Sequence, residues 1–118
     1  MLKLAVDATP AMHLVRLEGE LDMAAASQLA EHFSRASWET TPRVVLDLRG
    51  VSFIDSQGIM ALLDLRNEAA RAGSDLQLIP GPGDVLYVFA LTGLDEQFTW
   101  TDPPVAEERD GLHDRPGA

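Results

Sequence analysis

Cysteine is absent from the 118-residue chain, so neither a disulfide framework nor a thiolate metal site is open to it. Basic residues are scarce. Nine Lys and Arg stand against nineteen Asp and Glu, a formal charge of −10. A field of that sign repels a phosphate backbone, so direct nucleic-acid binding is not expected, and anionic membrane surfaces are disfavoured for the same reason. Apolar runs stay well below the roughly 18 residues of a membrane helix, so no membrane insertion is expected. The start, MLKLAVDATP, has an early acidic residue and a proline where a secretory leader carries a basic start and an apolar block. A cytoplasmic address is expected. Histidine is limited to His13, His32 and His113, far apart and without cysteine to assist them, so no metal and no cofactor is expected.

What is present is an ordinary globular composition, 46% hydrophobic and 24% charged. A chain of this length buries one core without staples. The excess of acid serves solubility, or complements a partner with a basic surface.

Leu2 to Asp7 and Met12 to Glu18 alternate loosely around the turn signal Thr9-Pro10, which predicts a hairpin of two short strands. In GELDMAAASQLAEHFSRASW, Asp22 is placed to cap a helix running through about Ser37, with Ala25, Leu29 and Phe33 at helical spacing. Val44 to Leu48 suits a central strand buried on both faces. Ile59, Leu62, Leu63 and Ala70 then mark the apolar side of an amphipathic helix that Gly73 ends. DLQLIP at 75–80 is the next strand, so a βαβ crossover and a parallel pair are expected. A helix from about Asp84 to Leu91 and a last strand, QFTW, complete a domain over 1–101. Residues 102–118 hold three prolines, seven charged residues and almost nothing bulky and apolar, which predicts a disordered tail.

Chemistry is most concentrated at Asp55-Ser56, where a strand meets a helix. A serine nucleophile on such a turn needs glycine two residues before and two after. Gly58 meets the second requirement, but Ile54 occupies the first position, and none of the three histidines is placed as a base. The chain is not expected to be an enzyme. GPGDVL puts Leu86 where a dinucleotide fingerprint needs its third glycine. A capping role for either Asp55 or Ser56 is expected. A helix start at a strand end is also accessible and accepts a phosphate, which suits a modifiable hydroxyl better than an attacking one.

Three motifs, GELDMAAASQL at 19–29, VVLDLRGVSFIDSQGIMALL at 44–63 and VFALTGLDEQFTW at 88–100, together resemble the STAS domain, named for sulfate transporters and anti-sigma factor antagonists. The resemblance spans nearly all of residues 2–101. It implies an α/β fold: a small mixed sheet of about five strands with helices packed mainly on one face. It looks most like a stand-alone bacterial anti-sigma factor antagonist, which implies partner switching. Unphosphorylated, such a protein binds an anti-sigma factor that is also a serine kinase ATPase. Phosphorylated, it lets go, and a serine phosphatase resets it, so that sigma-factor-dependent transcription is controlled. Ser56 stands at the family's phosphorylated position. Asp22 matches the acidic residue of the GELD motif and Asp55 the aspartate beside the serine. Gln57 replaces a second hydroxyl found in many members, which leaves Ser56 the only hydroxyl in the loop after Asp55, and Ser52 before it is a poorer target. The implied partner-binding set is Asp22, Asp55, Ser56, Gln57, Gly58, Ile59 and Met60. Met23, Ile59, Met60 and Leu94 read equally as a partner-facing apolar patch or as core packing. The same resemblance admits a subunit of a lipid-transport ABC system docking on its ATPase, or a member of a larger stress-signalling scaffold.

Overall fold

The computed structural model describes residues 2–33 and 41–103. Five strands form one sheet in the order of the chain: β1 (Lys3–Ala8), β2 (His13–Leu21), β3 (Arg43–Ile54), β4 (Asp75–Ile79) and β5 (Thr99–Trp100). β1 and β2 are antiparallel, joined by a turn in which the Thr9 amide donates to the Met12 carbonyl at 2.8 Å. Every other neighbouring pair is parallel, which makes the sheet mixed. The helices are α1 (Met23–His32), α2 (Ser56–Arg71) and α3 (Gly83–Thr92), followed by one turn of 3-10 helix at Asp95–Gln97.

The helices lie on one face because the strands bury alternate residues towards them. Val15 and Leu17 of β2, Val44, Leu46 and Leu48 of β3, and Leu76 and Leu78 of β4 form one cluster with Leu29 of α1, Leu62 of α2 and Phe89 of α3. The opposite face carries a smaller cluster of Leu14, Val45 and Ile79. Val44 to Leu48 are each 4% exposed or less, so β3 is buried on both sides as expected. Asp47 is the polar member of that run. Burial opposes its charge, but Arg49 donates to it from Nε, from a guanidinium nitrogen at 2.7 Å and from its own backbone amide. With Arg16 adding to the field, the balance holds the Asp47 carboxyl below its ordinary range.

Glycines end two helices. Gly73, at φ 81°, follows α2, with its amide donating to Ala70 and that of Ser74 to Ala69. Gly93, at φ 74°, follows α3 with the same pair of bonds, from Gly93 to Ala90 and from Leu94 to Phe89. Both are the two-bond glycine stop that a left-handed residue permits. After α3, Trp100 packs edge-on against Phe89 at 5.1 Å, and its indole donates to the Asp95 carbonyl at 2.9 Å.

Several boundaries differ from expectation. β2 runs to Leu21 rather than Glu18 and β3 to Ile54, because the two continue as a long ribbon past the rest of the sheet, with register shifts between Arg16 and Glu18 and between Gly19 and Glu20. In α2 the buried positions are Gly58, Ile59, Leu62, Leu65 and Ala69, whereas Ala70 is exposed. The helix begins at Ser56, and packing against both α1 and the sheet turns the stripe towards Leu65 and Ala69. Gln97 sits in the 3-10 turn, which shortens the last strand to two residues. α1 is described to His32, with Phe33 as its cap; the expected continuation to Ser37 lies outside the described residues. So do residues 104–118 of the expected tail. Just beyond β5 the Thr101 amide donates to the Leu78 carbonyl at 2.8 Å.

Candidate functional site

The site is built where two parallel strands end together. Leu21 of β2 and Ile54 of β3 are register partners, and each is followed at once by an aspartate that opens a helix. Asp22 and Asp55 adopt nearly the same extended conformation, φ −120° and ψ −167° for one, φ −120° and ψ −176° for the other. The Asp22 carboxylate accepts from the Ala25 amide at 3.1 Å, and that of Asp55 from the Gly58 amide at 2.9 Å. These are paired N-caps, each satisfying an amide that its helix leaves free. Each carboxylate also meets the positive end of its own helix dipole.

A close backbone approach locks the two starts together. The Asp55 amide donates to the Leu21 carbonyl at 3.3 Å. Gly58 sits so tightly over that carbonyl that a Cβ there would collide with it, and the Ile54 side chain closes another side. α2 can therefore begin against the end of β2, beside Asp22, only with glycine at this position.

The expected site residues divide by exposure. Ser56 and Gln57 are exposed, Met60 is 46% exposed, and Asp22 and Asp55 are half-buried. Gly58 is buried and Ile59 is fully enclosed in the core, so these two shape the surface from beneath and present no side chain to a partner. Of the apolar residues that read two ways, Met23 is 67% exposed and Met60 is exposed as well, whereas Leu94 packs against the core. The question of the cap is also resolved. It is Asp55; Ser56 is the first helical residue, and among the described residues no hydrogen bond holds its hydroxyl.

Phe53 of β3, just before the site, is 47% exposed, which was not legible in the sequence. It sits in β3 just where the pairing with β2 is irregular, so simple alternation does not report its direction. The flanking groove was equally hidden. A cavity of about 250 Å³ lies between α1 and α2, lined by Ala26, Ala30, Met60, Ala61, Asp64 and Glu68 among others. It arises because α1 and α2 pack against each other through small residues, a relation that no single helical stripe announces.

No histidine stands near Ser56 among the described residues. His13 begins β2, opposite Val44, eight residues from Leu21 and so about 26 Å along the strand. His32 ends α1, nine residues beyond Met23, or about 13 Å of helix. His113 lies outside the described residues. Among those described, no three ligand-type side chains converge on a point where a metal ion would sit, and no helix is long and apolar enough to cross a membrane.

The family model of the STAS domain matches residues 3–108. An anti-sigma F factor antagonist of Lysinibacillus sphaericus is 36% identical over 83 residues, which are 69% of this chain and 70% of that protein. Among solved structures, the anti-sigma factor antagonist SpoIIAA in its unphosphorylated form superposes with a TM-score of 0.67 at 22% identity, over 96% of this chain and 98% of that one. The Bacillus cell fate determinant SpoIIAA in its phosphorylated form gives 0.61 at 22% identity, over 93% and 99%. At such identities the two structures speak to the fold, and the five-strand mixed sheet with helices on one face is theirs too.

Proposed function

This chain belongs to the STAS domain family, and from that premise we propose that it is an anti-sigma factor antagonist switched by phosphorylation at Ser56. Unmodified, the surface around Ser56, formed by Gln57, Met23, Met60 and Phe53 with Asp22 and Asp55 at its centre, binds the anti-sigma factor and frees the sigma factor. Phosphorylated, that surface is closed. The partner is read as the serine-kinase ATPase type, with a serine phosphatase to reset the switch.

The observation that carries this reading is the geometry of Ser56. Its hydroxyl is exposed at the first position of α2, and the capping task belongs to Asp55, so modification need not dismantle the helix. A phosphate adds about −1.5 to −2 charge at neutral pH. It would arrive next to Asp55, at the strand ends where Asp22 also opens a helix, on a surface that binding has to desolvate. Like-charge crowding and the cost of burying a phosphate then oppose the complex. The same phosphate lies at a helix N-terminus, where the dipole favours it, so the fold tolerates the charge that the interface does not.

The reading is tested by pull-down from the host with Ser56→Ala and Ser56→Asp baits and identification by mass spectrometry. An ATP-binding anti-sigma factor retained by Ser56→Ala and lost by Ser56→Asp is the expected result. Recovery of a transporter ATPase by both baits would replace this function with the transport-subunit reading.

A further inference from the structure

β1 stands at one end of the sheet and, among the described residues, pairs only with β2. Lys3 and every residue from Ala5 to Ala8 are exposed, Val6 by 42%. An edge strand of this kind presents a row of unpaired amides and carbonyls. Its limits are defined. The Leu2 carbonyl accepts from Gln28 of α1 at 3.1 Å, and the Thr9–Met12 turn closes the other end. What remains open is Lys3 to Ala8.

The stretch Lys3-Leu4-Ala5-Val6-Asp7 is complementary to itself when reversed. We propose that β1 pairs antiparallel with β1 of a second copy of this chain, about a two-fold axis at Ala5, to give a ten-stranded sheet across a dimer. In that register Lys3 of each copy stands opposite Asp7 of the other, Leu4 opposite Val6, and Ala5 opposite itself. Directly opposed side chains in an antiparallel pair lie about 5 Å apart at Cβ, close enough for the two charged pairs and the two apolar pairs to form. The two-fold makes each contact twice. Sliding the axis to Leu4 or to Val6 leaves Lys3 and Asp7 without each other, so the charges specify the register.

Charge favours a second copy as the occupant. The chain as a whole carries −10, which opposes self-association. At this edge the balance is different. Register places Lys3 beside Glu18 and Ala5 beside Arg16 on one face, and Arg16 reaches Asp7 at 3.4 Å, so two cations and two anions cancel locally. This is a margin of the sheet where two such acidic molecules can approach. On the other face, Leu4 already packs against the core, and pairing with Val6 of the second copy extends that contact. The dimer leaves the switch surface open. β1 covers β2 only from His13 to Glu18, whereas Ser56 follows Ile54, opposite Leu21.

Sedimentation velocity over a concentration series of the full, unphosphorylated chain tests this, with circular dichroism confirming that each variant is folded. The wild type is expected to show a reversible monomer–dimer equilibrium. Lys3→Glu and Asp7→Lys should each weaken it at least tenfold, and the double variant Lys3→Glu/Asp7→Lys, which restores the pairs with reversed sign, should recover it. Val6→Pro, which removes an amide that points away from β2 into the proposed seam, should also abolish it. A wild type that stays monomeric at millimolar concentration overturns the proposal. So does a dimer indifferent to the single reversals, or one lost in a Tyr87→Glu variant of the exposed face of α3 and kept in Lys3→Glu.

Discussion

Three neighbouring residues at the start of α2 have separable tasks. Asp55 caps, Ser56 faces solvent and Gly58 lets the backbone close on Leu21. Substitution should therefore separate stability from function. Asp55→Ala removes a charged cap and is expected to cost about 1 kcal/mol in chemical denaturation. Gly58→Ala forces a Cβ against a carbonyl that cannot move without its strand, a loss of about 2–3 kcal/mol. Ser56→Ala should stay within about 0.5 kcal/mol of wild type, since its hydroxyl supports nothing in the fold. Equal losses at Asp55 and Ser56 would mean that the serine shares the cap. The sequence named all three residues. It left the cap open between Asp55 and Ser56, because both are good capping residues and only the backbone angles decide. It also counted Gly58 and Ile59 with the partner surface, since motif matching carries no burial.

At the scale of elements, β3 shows what periodicity can and cannot convey. Its buried half, Val44 to Leu48, was legible as a strand covered on both faces. Its second half was not, because register shifts against β2 break the alternation that would have marked Phe53 as exposed and Ile54 as buried. Ala70 was misplaced for a related reason. Ala69 and Ala70 are chemically alike, and the packing of α2 against α1 and the sheet selects between them. Asp47 within β3 gives a pH prediction. Its carboxyl lies below the ordinary 3.8, because Arg49 and Arg16 outweigh the effect of burial. The stability it contributes is complete above that ordinary value and is lost as pH falls below it, since the unfolded chain takes up the proton first. Arg49→Ala leaves the carboxylate in place without its fork of donors, and should cost about 2 kcal/mol at neutral pH and shallow the acid limb of the stability profile. Urea titrations from neutral pH to pH 3 measure both.

For the whole molecule, charge and topology divide the work. The first hairpin and the parallel pair of β3 and β4 were legible because a turn signal joins the one and a helix the other, and the spread of three motifs pointed to a mixed sheet of about five strands; the order of the strands was not. The resemblance implied that Asp22 and Asp55, thirty-three positions apart, share one site; the residues alone could not say why, which is that Leu21 and Ile54 are register partners. The excess of acid predicts how an anti-sigma factor with a basic surface arrives. Electrostatic steering acts on the encounter, so the association rate should fall at least tenfold between low and roughly 0.5 M salt while the dissociation rate changes little. Stopped-flow mixing at several salt concentrations reads this directly. A flat association rate would locate the affinity in the apolar residues Met23, Phe53 and Met60 alone.

The central claim is that one phosphate on Ser56 closes the binding surface without unfolding the domain. Its most direct test is calorimetric titration of the host anti-sigma factor with unmodified protein and with protein phosphorylated stoichiometrically at Ser56, alongside a melting curve of each. The account predicts a loss of at least about 1.4 kcal/mol in binding, tenfold or more in affinity, with the melting temperature of the phosphorylated protein unchanged or raised. Equal affinity of the two forms would contradict it.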